Sequence, residues 1–442
     1  MTELFAGLTQ WITHHNEWLG VAIFVVAFLE CLALAGLVVP GTVVLFAISI
    51  AAGNGAMSLF DTLLLGFLGG ILGDAVSYFL GRHFHERIRR LPGLRTHPEW
   101  ISRAEDFIHK YGVASLLVGR FIGPLRPLLP LIAGMLDMPV VKFAAVSLVA
   151  ATGWSIAALG PGWLAGAALR LPLPEGFWYQ AGLVTGGTVL LATVIAHGAW
   201  RERAGTTLLS GALCLVGLLA LLFGWHHLRA FDEGLMALVQ EHREGWLNLV
   251  AVVITRMGDF RTQLILAAVL ILVLAAFRQW RPLLFALGTT LGTALANGQL
   301  KNLLARARPD VLAEPLTTYS LPSGHSSASF AFFLTLGILV GRRYGPRGRL
   351  AWLVIAALPA ALIALSRVYL GVHWPTDILA GALLAGGFCG LSLALLQKTG
   401  GNRLEPVPTR TWWVLLPLIL LILAFAAGWA LPEAIERYAP RL

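Results

Sequence analysis

Long apolar runs separated by short polar segments dominate the chain. They fall at about 57–80, 140–170, 177–199, 205–228, 248–277, 283–300, 326–341, 350–370, 377–397 and 412–430. At 1.5 Å per residue an α-helix needs about 20 apolar residues to cross a bilayer core of roughly 30 Å, so the pattern predicts an all-α, polytopic integral membrane protein. The run near 248–277 carries Arg256, Asp259 and Arg261, so its first part is expected at the interface. Two stretches break the pattern. Residues 18–52 are apolar but contain Glu30 and are interrupted at Pro40-Gly41, and residues 119–134 hold Arg120, Arg126 and three prolines. Charge and proline inside lipid-like sequence are costly, so these stretches read as broken hairpins rather than simple spans. Residues 1–16, with Trp11, His14 and His15, predict an interfacial helix, and the lack of a basic region and cleavage site predicts no removable signal peptide.

Composition agrees: 57% of residues are hydrophobic and 12% charged, with a mean hydropathy of +0.76. The net charge of +9 does not point to nucleic acid, because the cations lie in short loops between apolar runs. The loop from Arg82 to Lys110 is expected on the cytoplasmic side by its charge. The segments 201–203, 278–281, 342–349 and 398–403 fall on alternate connections, which also places them there. The three cysteines, Cys31, Cys214 and Cys389, sit singly in apolar sequence and read as packing residues, with neither disulfide nor zinc implied.

Three polar signatures interrupt the last third: Lys301 through Arg308-Pro309, Pro322-Ser323-Gly324-His325, and Ser366-Arg367 followed by His373 and Asp377. Lys301 and Arg308, seven apart, would share a helix face, with Pro309 ending that helix. Gly324 and His325 precede an apolar run, where the free N–H groups of a helix start favour an anion. Pro375 suits a first helical turn, and Asp377 is near enough in sequence to orient the His373 imidazole. Taken singly, each cation would be an interfacial anchor and each histidine a packed side chain. Together they form a set suited to a phosphate, whereas Arg306 falls outside the set and reads as an ordinary interfacial cation.

These stretches resemble the K-x6-RP, PSGH and SR-x5-H-x3-D motifs of the type 2 phosphatidic acid phosphatase superfamily, with every motif position present. The resemblance implies a multi-helix lipid-phosphatase bundle that works through a phosphohistidine without a metal or other cofactor. It gives His373 as nucleophile, Asp377 as its orienting carboxylate and His325 as the acid for the leaving oxygen. Lys301, Arg308, Ser323, Gly324 and Arg367 are the implied phosphate ligands.

In the first half, Glu30 with Pro40-Gly41, then Gly73-Asp74 with Tyr78 and Gly81-Arg82, then Gly119-Arg120-Phe121 with Pro124, Arg126, Pro127 and Ala133-Gly134 resemble the DedA family. That resemblance implies an inverted-repeat module with two re-entrant hairpins, associated with moving lipids, with Glu30, Arg120 and Arg126 as transport residues. Many members carry an acid after the Pro-Gly, where this chain has Thr42. The same three charges also read as a structural ion cluster, and Asp74 with Arg82 as a structural pair.

The expected organisation is a DedA-like module over 1–200, a phosphatase domain over 201–411 and an added helix and tail over 412–442, with no chemistry expected in the tail. The expected function is dephosphorylation of undecaprenyl pyrophosphate at the periplasmic face of a bacterial inner membrane, fused to a module that flips or scrambles lipid. Alternatives are a phosphatidic acid or phosphatidylglycerol phosphate phosphatase with a scaffold N-terminal half, a lipid phosphotransferase, or a transporter only. The expected partners are a lipid phosphate or pyrophosphate and the bilayer, with a second copy of the chain a further candidate and nucleic acid excluded.

Overall fold

The computed structural model describes residues 18–33, 35–38, 41–89, 106, 114–121, 126–314, 316–399 and 404–441. The expected interfacial helix at 1–16, most of the basic loop before Lys110, and Pro40 and Pro124 lie outside these residues. The protein is an all-α polytopic membrane protein. Among the described residues eight helices are long and apolar enough to cross a membrane, or nine when one bent pair is taken as a span. The contacts divide the chain into two compact units, Met1–Pro172 and Leu173–Leu442.

In the first unit the helices are α1 (Leu19–Cys31), α2 (Ala35–Val38), α3 (Gly41–Ala51), α4 (Leu59–Arg89), α5 (Ala114–Gly119), α6 (Leu128–Met135) and α7 (Val140–Arg170). The short pieces α1–α3 and α5–α6 are the two interrupted stretches, and they pack against the long helices α4 and α7. Close approach is possible because glycines face backbone: a Cβ on Gly81 of α4 would lie 2.0 Å from the Leu131 carbonyl of α6, and one on Gly134 of α6 would lie 2.0 Å from the Tyr78 carbonyl of α4. No side chain could be accommodated at that crossing without moving the backbone.

The second unit holds α8 (Phe177–Arg201), α9 (Ala204–Gly224), α10 (Arg229–Glu241), α11 (Gly245–Met257), α12 (Phe260–Ala276), α13 (Trp280–Leu304), α14 (Gly324–Gly341), α15 (Pro346–Tyr369), α16 (Pro375–Thr399), α17 (Thr409–Gly428) and α18 (Leu431–Arg437). Its core includes Leu266, Leu270, Phe285, Phe332, Ile363 and Leu415. The expected span at 248–277 is a bent pair, α11 and α12, meeting at 43° with Gly258-Asp259 at the break. Helix α13 is longer than α12 and α14 but less apolar, because its inner face carries Thr289, Thr293 and Asn297, all buried.

The junction expected at 200–205 is a tight helical turn inside this unit. Glu202 there accepts from Arg342 and, at 2.6 Å, pairs with Arg349. The Glu202 carboxylate is thus consumed in packing, while Arg201 and Arg203 beside it are exposed, and α8 packs on α9 and α15. Arg281, at the start of α13, donates to the Leu396 carbonyl near the end of α16. The basic turns thus gather at one end of the unit, and the three polar signatures lie at the other ends of the same helices.

Candidate functional site

Helix α13 stops one turn after Lys301, because Ala305 adopts a left-handed conformation (φ 46°) and its N–H caps the Lys301 carbonyl at 3.1 Å. Arg308 therefore lies in a loop rather than on a shared helix face, and Pro309 does not end the helix as expected. Loop contacts aim Arg308 instead: its guanidinium donates to the Thr318 and Val372 carbonyls, each at 2.6 Å, and to the Thr318 hydroxyl at 2.8 Å. Lys301, Arg308, Gly324, His325, Arg367 and His373 converge on one cavity of about 600 Å³. The Lys301 side chain has no hydrogen-bond or ion-pair partner among the described residues, so its charge is available to a ligand.

His373 is buried in the turn before α16. Its Nδ1 lies 3.3 Å from Asp377 Oδ2, and its Nε2 lies 3.1 Å from an Arg308 Nη that donates toward it. These partners assign the proton to Nδ1 and leave the Nε2 lone pair on the side of the cations. Burial, reinforced by Arg308, Arg367 and Lys301, holds the His373 pKa well below the ordinary imidazole value. The imidazole is therefore neutral at pH 7, as a nucleophile must be. Asp377, fully buried, also accepts from the Trp374 N–H at 2.9 Å and from Arg306 at 2.7 Å.

Arg306 is not an interfacial cation. It is 6% exposed, lies over the Trp225 ring at 4.2 Å and bridges Asp377 to Asp232, reaching the latter at 2.6 Å. Asp232 in turn accepts from the Thr376 N–H and hydroxyl. This network fixes the first turn of α16 and the carboxylate behind His373. The sequence signal was Arg306's place between two motif cations, but its carboxylate partners come from distant segments.

His325 begins α14, and its Nε2 lies 2.9 Å from Asp259 Oδ1, at the bend between α11 and α12. In the sequence Asp259 stands only as a charge in an apolar run. A carboxylate on one ring nitrogen leaves Nδ1 to exchange a proton with a substrate. Replacing Asp259 with Asn is expected to lower kcat by roughly 10- to 100-fold, a part of the range spanned by proton-transfer catalysis. The loss should be smaller for a substrate whose leaving group is a good one, and comparing phosphate release from aryl and alkyl phosphates checks this.

Arg367 is 2% exposed. One of its nitrogens donates to Thr255 at 2.8 Å and to the Tyr438 hydroxyl at 3.0 Å, while Nε has no partner among the described residues. Gly324 leaves open space where a Cβ would stand, the nearest atom being Asn297 Oδ1 at 3.6 Å, so an anion can approach the helix start. Ser323 differs from expectation. It is fully buried, is absent from the cavity wall, and its hydroxyl caps α14 by accepting from the Ser326 N–H. Much of the remaining wall is apolar, with Phe260, Leu264 and Ile271 of α12 and Leu287 and Leu291 of α13.

In the first unit Glu30, Arg120 and Arg126 are all buried. Glu30 accepts from Arg126 and from the Thr42 hydroxyl, and Asp74 accepts from Arg120. Asp74 is thus the partner of Arg120, not of Arg82, which instead faces Asp137 at 3.7 Å and the Tyr78 hydroxyl at 2.9 Å. Both buried guanidiniums lie 5.2 Å from the Trp154 ring. Two arginines within apolar packing require two carboxylates, which accounts for Asp74 inside α4.

The comparisons with known proteins follow the same division. Residues 39–164 match the VTT domain model and residues 281–401 match the PAP2 superfamily model. The chain is 35% identical over 205 residues to the inner membrane protein YabI of Escherichia coli (strain K12), covering 46% of this chain and 81% of that protein. It is 36% identical over 129 residues to the inner membrane protein YqjA of the same strain, covering 27% of this chain and 56% of that protein. The crystal structure of a PAP2-type phosphatidylglycerolphosphate phosphatase from Bacillus subtilis is similar over 44% of this chain and 98% of its own, at 26% identity and a TM-score of 0.39. The similarity to YabI, at 205 residues, is longer than the 172-residue first unit. The chain belongs to the DedA (VTT-domain) family of multi-pass bacterial inner membrane proteins, and residues 281–401 of its second half match the PAP2 superfamily.

Proposed function

We propose that the protein removes the terminal phosphate of a prenyl diphosphate lipid, undecaprenyl pyrophosphate, at the periplasmic face, and that its DedA half returns the monophosphate product across the membrane. The observation that carries the phosphatase reading is a single cavity with Lys301, Arg308 and Arg367 at one end and an apolar wall from α12 and α13 along its length. Such a cavity suits a phosphorylated head with a long hydrocarbon tail. His373 Nε2 attacks the terminal phosphorus, the bond to the bridging oxygen breaks, and its electron pair leaves with the lipid. Water then releases orthophosphate from the phosphohistidine. The three cations and the α14 N-terminus supply the charge stabilisation that phosphoryl transfer requires, so the reading needs no metal ion. The basic turns at the opposite helix ends support a periplasmic site.

For the first unit, the paired charges at the helix breaks support lipid passage, since ionised groups at membrane depth mark pathways. The test is made in proteoliposomes with EDTA, following phosphate release from undecaprenyl pyrophosphate and appearance of the product in the opposite leaflet. Release with product translocation that Arg126→Ala abolishes is the expected result. Release that EDTA eliminates removes the metal-free mechanism, and translocation that survives Arg126→Ala removes the transport role.

A further inference from the structure

The last residues of the chain lie outside the matched PAP2 segment, yet the structure builds them into the catalytic cavity. Helix α18 ends at Arg437, and Arg437 and Tyr438 both line that cavity. The segment is held from several sides. The Ala313 N–H donates to the Ala439 carbonyl at 3.1 Å, and the Arg441 N–H donates to the Val311 carbonyl at 3.0 Å. Arg243 donates to the Tyr438 carbonyl at 2.7 Å, and the Arg441 side chain reaches Asp310 at 2.7 Å. Residues 311–313 directly follow the Arg308-Pro309 motif, so the tail is tied to the loop that carries a phosphate ligand.

The two tail arginines are used differently. Arg441 is consumed by Asp310, whereas Arg437 is exposed and has no hydrogen-bond or ion-pair partner among the described residues. It stands close enough to Arg308 for its charge to act there: Arg308 is lowered to about 10, first by burial, then by Arg367, with Arg437 a smaller contributor. A tethered cation beside three others is electrostatically unfavourable unless an anion joins them. In the phosphatase reading the three inner cations serve the phosphoryl group under attack. A diphosphate monoester brings about one more negative charge than a monophosphate, carried on the neighbouring phosphate.

We propose that Arg437, positioned by the tail, is a subsite for the second phosphate of a diphosphate monoester and makes the cavity selective for diphosphates over monophosphates. This rests on the phosphatase reading above and adds the residue that selects its diphosphate substrate. Tyr438 acts through Arg367, whose guanidinium it accepts from, and is a positioning residue.

The experiment compares kcat/KM of the full chain for undecaprenyl pyrophosphate, undecaprenyl phosphate and inorganic pyrophosphate, with Arg437→Ala, Arg437→Lys and Arg441→Ala variants. The expected result is a fall of roughly 10- to 100-fold in the diphosphate-to-monophosphate ratio for Arg437→Ala, the value of a lost charge-assisted hydrogen bond. Arg437→Lys should recover part of that ratio. Arg441→Ala, which loosens the tail, should lower the ratio less than Arg437→Ala. Inorganic pyrophosphate turned over as fast as the lipid would keep the subsite and assign it a soluble ligand. Equal losses on both lipid substrates, or no loss, would overturn the subsite while leaving the phosphatase intact. Wild-type protein that releases phosphate only from the monophosphate overturns the subsite alone, and wild-type protein that releases none from any substrate overturns both readings.

Discussion

Replacing His373 with alanine is expected to reduce phosphate release by roughly 10⁴-fold or more, the scale seen when a covalent nucleophile is removed. The other imidazole on the cavity wall does not replace it, because His325 is engaged by Asp259. The pH profile carries a second signature of the same residue. Burial and the neighbouring cations lower the His373 pKa, so the ring stays neutral as the pH falls through its ordinary value and protonates only well below it. In the wild type kcat/KM should therefore hold its plateau below pH 6.5. Arg308→Gln removes the largest of the neighbouring charges, so the His373 pKa rises and the acid limb of the residual activity moves to higher pH. A normalised profile unmoved by Arg308→Gln, or a His373→Ala enzyme with more than a few per cent of wild-type release, would rule out the nucleophile assignment.

Arg306→Leu is expected to have the largest effect on stability. The substitution leaves Asp232 and Asp377, both nearly inaccessible, as two buried carboxylates without their shared cation. Stranding a buried charge costs about 3–5 kcal/mol. Thermal unfolding in detergent, followed by tryptophan fluorescence, should show a drop of many degrees together with lost activity. Asp232→Asn combined with Arg306→Leu should recover part of the stability, because one stranded charge is gone. By contrast Arg229→Ala, which removes a cation 77% exposed and paired with Glu233, should change little, as surface pairs do. An unchanged unfolding temperature for Arg306→Leu would mean that the bridge is energetically idle.

The sequence shows which residues of the site are cationic, nucleophilic or acidic, because those identities are spelled out in short motifs. It does not show what holds them. Asp259 and Asp232 reach His325 and Arg306 across helices, and no local spacing links such pairs. Lys301 and Arg308 illustrate a different difficulty: the left-handed residue that ends α13 is Ala305, which carries none of the preference of glycine or asparagine for that conformation. The bend at Gly258-Asp259 was more legible, since three charges in an apolar run conflict with a straight span. Asp74 was visible as a charge in an apolar helix, but choosing Arg120 over Arg82 as its partner required the folded chain.

Helix α8 follows the boundary between the two units, and its side chains pack within the unit that begins at Leu173. A cut after α8 would strip the second unit of a helix that packs on α9 and α15, so the second half is expected to be less stable when expressed from a start after α8 than from one at Leu173.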